Sequence, residues 1–204
     1  ASTILILSVL ALAAVAHWLA TSDPKRQVIR SLEKSGCSVT YEYQQLGSRP
    51  GRNWLSAALP QMHTDTVVSV SRSGSHFGDA LPIFDDAIML KLALFPDLVD
   101  LRLDRTAISD RGVLVLAQLG SLRRLGLSHN RITSVKLSNM KDLECLDLSN
   151  TQISDASIAS IAGSSVLQEL DLSFTLVGDQ GLGHLSELDS LRILRVNNCD
   201  ISDA

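Results

Sequence analysis

Side chains that could do chemistry are few in this chain, and they gather only in short local clusters. His63-Thr64-Asp65, His76 with Asp79, and Asp85-Asp86 are the groupings that could suggest an active site. A hydrolytic triad needs a base within hydrogen-bond reach of a nucleophile, together with oxyanion donors, and no motif here fixes such geometry. The clusters are therefore read as helix caps and solvated loops. No phosphate-binding loop, dinucleotide fingerprint or paired Cys-x-x-Cys is present. The three cysteines, Cys37, Cys145 and Cys199, are too few and too odd for a disulfide framework, and they lack metal-ligand spacing. The reading is no catalytic residue, no metal ligand, no cofactor and no small-molecule substrate.

What the sequence does repeat is a strand-sized pattern. It reads LVDLRLDRT at 98–106, LRRLGLSHN at 122–130, LECLDLSNT at 143–151, LQELDLSFT at 167–175 and LRILRVNNC at 191–199. The starts lie 24, 21, 24 and 24 residues apart, and a fixed period of this length marks a solenoid. Within each copy two apolar residues alternate with one variable residue, the period of a short strand with one buried face. Five such strands are expected to stack in parallel, each completing its core against its neighbours. Cys145 and Cys199 then lie two strand spacings, about 10 Å, apart and should not pair.

The motif L-x-x-L-x-L-x-x-N/T/C resembles that of leucine-rich repeat proteins. The resemblance implies an α/β solenoid, with parallel strands on a concave face and short helices on a convex face. Three residues past each strand stand Thr106, Asn130, Thr151, Thr175 and Cys199. The chain turns there, leaving polar backbone groups that need partners, and the resemblance assigns this slot to an inward ladder bonded to the adjoining loops. After it come AISDRG, RITSVK, QISDAS, LVGDQG and DISDA. Ser-Asp or Gly-Asp before an apolar-periodic run is a helix start, so Asp110, Asp155, Asp179 and Asp203 are expected as N-caps accepting first-turn amides. The 21-residue copy lacks room for a full helix, and an irregular or single-turn connection is expected from Ser134 to Lys141. In GLGHL, 181–185, the glycines are expected to permit close packing.

The variable strand positions form columns across the concave face: Asp100, Arg124, Cys145, Glu169 and Ile193; Arg102, Gly126, Asp147, Asp171 and Arg195; Asp104, Ser128, Ser149, Ser173 and Asn197. Arg105, His129, Asn150, Phe174 and Asn198 lie beside them. One reading is a solvated sheet laced with cross-strand pairs such as Asp171 with Arg195. The other is a protein-binding face, for which Arg102, Arg124, Asp147, Glu169, Asp171, Phe174 and Arg195 are the candidate contacts, Arg and aromatics being enriched at binding hot spots. A net charge of −4 argues against nucleic acid, which needs a basic face.

The N-terminal third differs. Residues 1–22 carry no formal charge, and the 17 residues from Ile4 to Ala20 would span about 25 Å as a helix. Trp18 near the end and Lys25, Arg26 and Arg30 beyond it suit a membrane anchor; Ala14-Val15-Ala16 also fits a cleavable signal, and a buried core helix is the third reading. Asp23-Pro24 opens a basic helix that Gly36 should stop, and Cys37–Tyr43 alternates as a strand. Trp54, Leu55 and Leu59 open a second short helix. Val68 and Val70 are read as a degenerate first repeat strand, with 79–95 as its outer layer. The domains are thus 1–22, transmembrane anchor or signal; 23–75, an α/β capping element; and 76–204, the repeats.

Isoleucine-Ser-Asp-x-Gly endings with Thr or Cys in the ladder slot are similar to the cysteine-type repeat subfamily. The N-terminal motifs, Arg30 to Gly36, Val39 to Tyr43, Arg49 to Leu55 and Val67 to Val70, resemble membrane-anchored leucine-rich repeat proteins of planctomycete-type bacteria. That resemblance implies a single-pass membrane protein, or a secreted or periplasmic one after cleavage. The expected function is a non-catalytic module binding a protein partner through the concave face; the alternative is a recognition or regulatory subunit whose catalysis another chain supplies.

Overall fold

The computed structural model describes residues 23–41, 67–73, 85–137 and 139–202. The readings of residues 1–22, His63 to Asp65, His76, Asp79, the helix at Trp54 and Asp203 lie outside them.

Helix α1, Pro24–Lys34, has Asp23 as N-cap, its carboxylate accepting from Lys25 N at 2.9 Å, and Pro24 at its first position. Gly36 ends it with φ at 77°, a conformation that glycine adopts without steric cost. Strand β1, Ser38–Tyr41, runs antiparallel to β2, Val67–Ser73, with Val39 opposite Val70. From β2 on, every pairing among the described residues is parallel: β3 (Asp100–Asp104), β4 (Arg124–Gly126), β5 (Cys145–Asp147), β6 (Glu169–Asp171) and β7 (Ile193–Arg195) follow in chain order. The register sets Val70 beside Leu101, Leu125, Leu146, Leu170 and Leu194 in turn. Val70 thus stands where the sequence placed it, in the row of repeat leucines.

Each crossover carries a short outer element. These are α2 (Asp86–Leu92), α3 (Asp110–Val113) continuing as a 3-10 helix (Leu114–Gln118), α4 (Asp155–Ile161) and α5 (Asp179–Leu185). Between β4 and β5 no helix is assigned among the described residues, as three fewer residues leave no length for one. The core is built from equivalent positions: Leu98, Leu122, Leu143 and Leu167 enter each strand, Leu103, Leu127, Leu148 and Leu172 leave it, and Ile108, Ile132, Ile153 and Val177 face inward beyond the turn, all fully buried. Val28 and Leu32 of α1 join the same cluster. At β7 no described strand packs on the outer side, and Leu194 is 39% exposed where Leu170 is fully buried.

The residue before each ladder position has a positive φ: Arg105, His129, Asn150, Phe174 and Asn198, at 54° to 59°. This left-handed residue turns the chain out of the strand and aims its N–H at the next repeat. Arg105 N, His129 N, Asn150 N and Phe174 N donate to Ser128 O, Ser149 O, Ser173 O and Asn197 O at 2.8–2.9 Å.

The aspartates expected as N-caps take another role. The cap positions belong to Ser109, Ser154 and Gly178, and the aspartates are first residues of the helices. Their carboxylates cross to the following repeat. Asp86 accepts from Ser109 N and Oγ at 2.9 and 2.6 Å; Asp110 from Thr133 N, Thr133 Oγ1 and Ser134 N; Asp155 from Gly178 N at 2.7 Å; Asp179 from Ser202 N and Oγ. Asp85, like Asp23 in α1, does cap its own helix, accepting from Ala87 N and Ile88 N. One residue decides the outcome: a side chain at the cap points along its own helix, whereas the next one points sideways to the neighbouring turn.

Two of these carboxylates, Asp110 and Asp179, make stability sensitive to acid. Burial pushes the Asp110 carboxyl up, but its hydrogen bonds from Thr133 and Ser134 outweigh that and hold it below the usual carboxylate value; Ser202 does the same for the fully exposed Asp179. A depressed folded-state pKa contributes stability above the unfolded value, about 3.9 for Asp, and that stability is lost as pH falls through the folded value. The urea midpoint is therefore expected to hold near neutral pH and fall below about pH 4. Asp110→Asn should flatten that acid branch; an unchanged slope would show that Asp110 does not carry it.

Candidate functional site

The strand face holds an open hollow of about 240 Å³ centred on β4 to β6, lined by Arg102, Asp104, Arg124, Gly126, Cys145, Asp147, Glu169, Asp171 and Arg195, with Leu125 and Leu146 beneath. Its cause is local. Gly126 is the one residue of the middle column without a side chain, and a Cβ there would stand 3.2 Å from Asp104 Oδ1. Parallel register then sets the side chains of β3, β5 and β6 around the gap at strand spacing.

Six of the seven candidate contacts line this hollow; Phe174 does not. The arginines are not equivalent. Arg102 Nε and Arg124 Nε both bind Asp100, at 3.2 and 2.9 Å, and Asp100 is largely buried between them. Arg195 stands opposite Asp171 in the register but forms no ion pair with it, so that expected cross-strand pair is replaced by Asp100 with Arg124 and, outside the hollow, Arg123 with Glu144. Asp147 Oδ1 accepts from Ser149 N and Oγ, and Asp171 Oδ1 from Ser173 N, which fixes each carboxylate while its second oxygen takes no hydrogen bond from a described residue. The Glu169 carboxylate has no hydrogen-bond or ion-pair partner among the described residues. The result is a pair of arginines sharing one carboxylate, four carboxylates with spare acceptors, since Asp104 too is bound only through Oδ1, by Ser128 N and Oγ, and one guanidinium without an ion-pair partner among the described residues.

Asp100, Asp104 and Gly126 were not among the candidates. Gly126 interrupting a column of charged residues was the sequence signal for a gap; nothing comparable marks Asp100, whose role depends on Arg102 and Arg124 folding to the same side. Phe174 lies beyond the strand end, 53% exposed with φ at 59°. Asn150 and Asn198 occupy the same slot in neighbouring repeats, and asparagine tolerates that backbone region far better than phenylalanine.

The ladder slot divides in two. Thr151 and Thr175 donate their hydroxyls to the leucine carbonyl three residues earlier in their own repeat, whereas the single hydroxyl proton of Thr106 has Leu103 O at 3.1 Å and the nearer Asn130 Oδ1 at 2.7 Å. Asn130 and Cys199 also reach the preceding repeat, at Leu103 O and Leu172 O, and Thr106 donates to Asn130 Oδ1. The bonds therefore go to strand-end carbonyls more than to adjoining loops.

All three cysteines are free. Cys145, in the hollow, is pushed up by burial and by the Glu169 carboxylate, which disfavours the thiolate that nucleophilic chemistry needs. Among the described residues, no group of three or more His, Cys, Asp or Glu is placed to hold a metal ion, and no helix is long and apolar enough to cross a membrane.

A parallel strand layer, an outer layer of short helices and a repeated inward polar slot define a leucine-rich repeat solenoid. The matching family models agree: one described as "Leucine Rich repeats (2 copies)" covers residues 121–160 and one described as "Leucine Rich repeat" covers 163–186. The chain carries leucine-rich repeats. No curated protein matches it. Among solved structures it is similar to the leucine-rich repeat ectodomain of the plant membrane receptor kinase GASSHO1/SCHENGEN3 from Arabidopsis thaliana, at 17% identity and a TM-score of 0.51, over 86% of this chain and 21% of that one. That structure is a complex with Casparian strip integrity factor 2. Internalin C2 from Listeria monocytogenes is 28% identical over 53% of this chain and 46% of that one, with a TM-score of 0.49. An internalin from the same organism is 26% identical over 52% and 30%, at 0.48. The chain spans less than half the length of either internalin.

Proposed function

We propose that this chain is a non-catalytic protein-interaction module held at a membrane by residues 1–22, with 23–75 capping the first repeat and 76–204 forming the repeats. Leucine-rich repeat solenoids present extended strand faces to protein partners, and the observation that carries the reading here is the hollow over Gly126. Its free acceptors on Asp147, Glu169 and Asp171 suit a basic side chain of the partner, while Arg195 suits an adjacent carboxylate or backbone carbonyl. Arg102 and Arg124 frame the site through Asp100. Phe174 supplies an apolar anchor at the rim: an exposed aromatic kept in a backbone conformation that costs about 1 kcal/mol or more is poorly explained by folding alone. The Thr- and Cys-containing ladder and the N-terminal motifs support a bacterial, membrane-anchored protein of the planctomycete type, single-pass, or secreted or periplasmic if the leader is cleaved.

The test is capture of partners from a membrane extract with the full chain, followed by association kinetics. Asp147→Lys with Asp171→Lys is expected to slow association about tenfold or more at low salt, the difference shrinking as screening shortens to about 8–10 Å. Glu187→Lys, on the helix side, should leave it unchanged. Equal rates for the strand-face variant and the parent would place the partner elsewhere.

A further inference from the structure

The repeat that supplies Glu169 and Asp171 to the hollow also carries an apolar pair on the turn that leaves its strand. Phe174 is 53% and Leu176 65% exposed, and the two flank the buried Thr175. In the other four copies the same two slots hold polar residues or alanine, such as Asn150 with Gln152 and Asn198 with Asp200. A large apolar pair at this rim thus belongs to the copy that lines the hollow. The equally exposed Leu90 and Leu114 lie in the outer helical layer, not at this rim.

Charge crosses the strand face in stripes. Residues 143–151 and 167–175, which hold β5, β6 and the turns after them, contain four carboxylates and no Lys, Arg or His. The copies on either side are basic there, with Arg123 and Arg124 before them and Arg192 and Arg195 after. Arg123 takes up Glu144 in an ion pair and Arg124 binds Asp100. Asp147, Glu169 and Asp171 therefore keep their charge with no ion-pair partner among the described residues. A stripe of this width suits one cation. A second basic side chain beside the first would meet Arg124 or Arg195 and be repelled.

We infer that the partner is held by one short extended segment, in which a single basic side chain seated among Asp147, Glu169 and Asp171 stands two residues from a large apolar one packed on Phe174 and Leu176. The inference rests on the strand-face function proposed above and narrows it to a recognition motif. Asp171 and Phe174 are three residues apart, a reach of at most about 10 Å. Side chains on one face of an extended segment recur every two residues, about 7 Å, and the next same-face position, at about 13 Å, overshoots the rim. The apolar contact supplies most of the affinity, as buried anchors do at interfaces. The carboxylates supply association rate and orientation.

A phage-displayed library of random nine-residue peptides is selected on the immobilised full chain, and enriched peptides are remade with the basic and apolar residues one to four positions apart. The expected motif is one Lys or Arg two residues from Leu, Ile, Phe or Met, with affinity falling about tenfold at separations of one or three. Phe174→Asn with Leu176→Gln copies Asn150 and Gln152 of the preceding repeat, so the fold is kept; it should lose the apolar preference and retain the basic one. Asp147→Asn with Asp171→Asn should lose the basic preference. Enrichment of a basic residue without an apolar one at that spacing, enrichment of basic runs, or an unchanged apolar preference in the rim variant overturns the two-point motif and leaves the hollow as a site for a basic side chain. No enrichment, peptides without a basic residue, or a basic preference that survives Asp147→Asn with Asp171→Asn removes both.

Discussion

Replacing Gly181 with Ala is expected to lower the stability of the solenoid by about 1–3 kcal/mol, while Gly183→Ala, two residues on in the same helix, raises it by about 0.5–1 kcal/mol. A Cβ at Gly181 would stand 2.5 Å from Asp155 Oδ1 and 2.8 Å from Val177 Cγ1; at Gly183 nothing lies within 4 Å. The sequence reading gave both glycines a packing role, and only Gly181 has one. Its neighbour is the carboxylate that binds Gly178 N, so relief of the clash breaks the bond between repeats. Gly112 faces Asp86 in the same way, at 2.5 Å. Where the preceding repeat offers Ser134 in place of an aspartate, the equivalent site is Ser157, whose hydroxyl donates to Thr133 O at 2.9 Å. Asp155→Ser combined with Gly181→Ser, which copies that arrangement, should therefore recover part of the loss. Urea midpoints for the four proteins decide it; equal losses from Gly181→Ala and Gly183→Ala would remove the carboxylate from the account.

That pairing also shows where the sequence was legible and where it was not. Strand identity and register follow from Leu-x-Leu repeated at a near-constant period, because a slip of one residue would turn every leucine out of the core. The missing helix after Ser134 follows from length. The direction of the aspartates did not follow, because Ser-Asp before a helix is compatible with either residue acting as cap, and the choice depends on how closely the next repeat stacks. The link was present as a relation between repeats, aspartate in one with glycine three residues past the cap in the next, and it appears only when the copies are compared in pairs. The hollow was half legible: its carboxylates and Arg195 stand in the columns, but the capture of both Arg102 and Arg124 by Asp100 is a matter of side-chain direction.

Asn130→Leu is expected to be the most damaging ladder substitution, at about 3–4 kcal/mol. Asn130 is buried, and the two protons of its Nδ2 go to Leu103 O at 2.7 Å and Leu127 O at 3.0 Å, with Ser128 O farther off at 3.3 Å, while Oδ1 accepts from Thr106 N and Thr106 Oγ1 at 3.1 and 2.7 Å. An amide has donors and an acceptor on one planar group, so it joins two repeats where a hydroxyl serves one. Leucine of similar size leaves Thr106 N and two strand-end carbonyls without that partner in a site closed to water, and each buried orphan costs about 1–3 kcal/mol. Asn130→Thr should lose about half as much, since a hydroxyl there can still donate to Leu127 O as Thr151 does to Leu148 O, but cannot reach Leu103 O. Thr151→Val removes a single bond within one repeat and should cost about 1–2 kcal/mol. Urea unfolding followed by circular dichroism gives the order, and an Asn130→Leu loss no greater than that of Thr151→Val would mean that the bonds across the β3 to β4 boundary contribute nothing beyond those within a repeat.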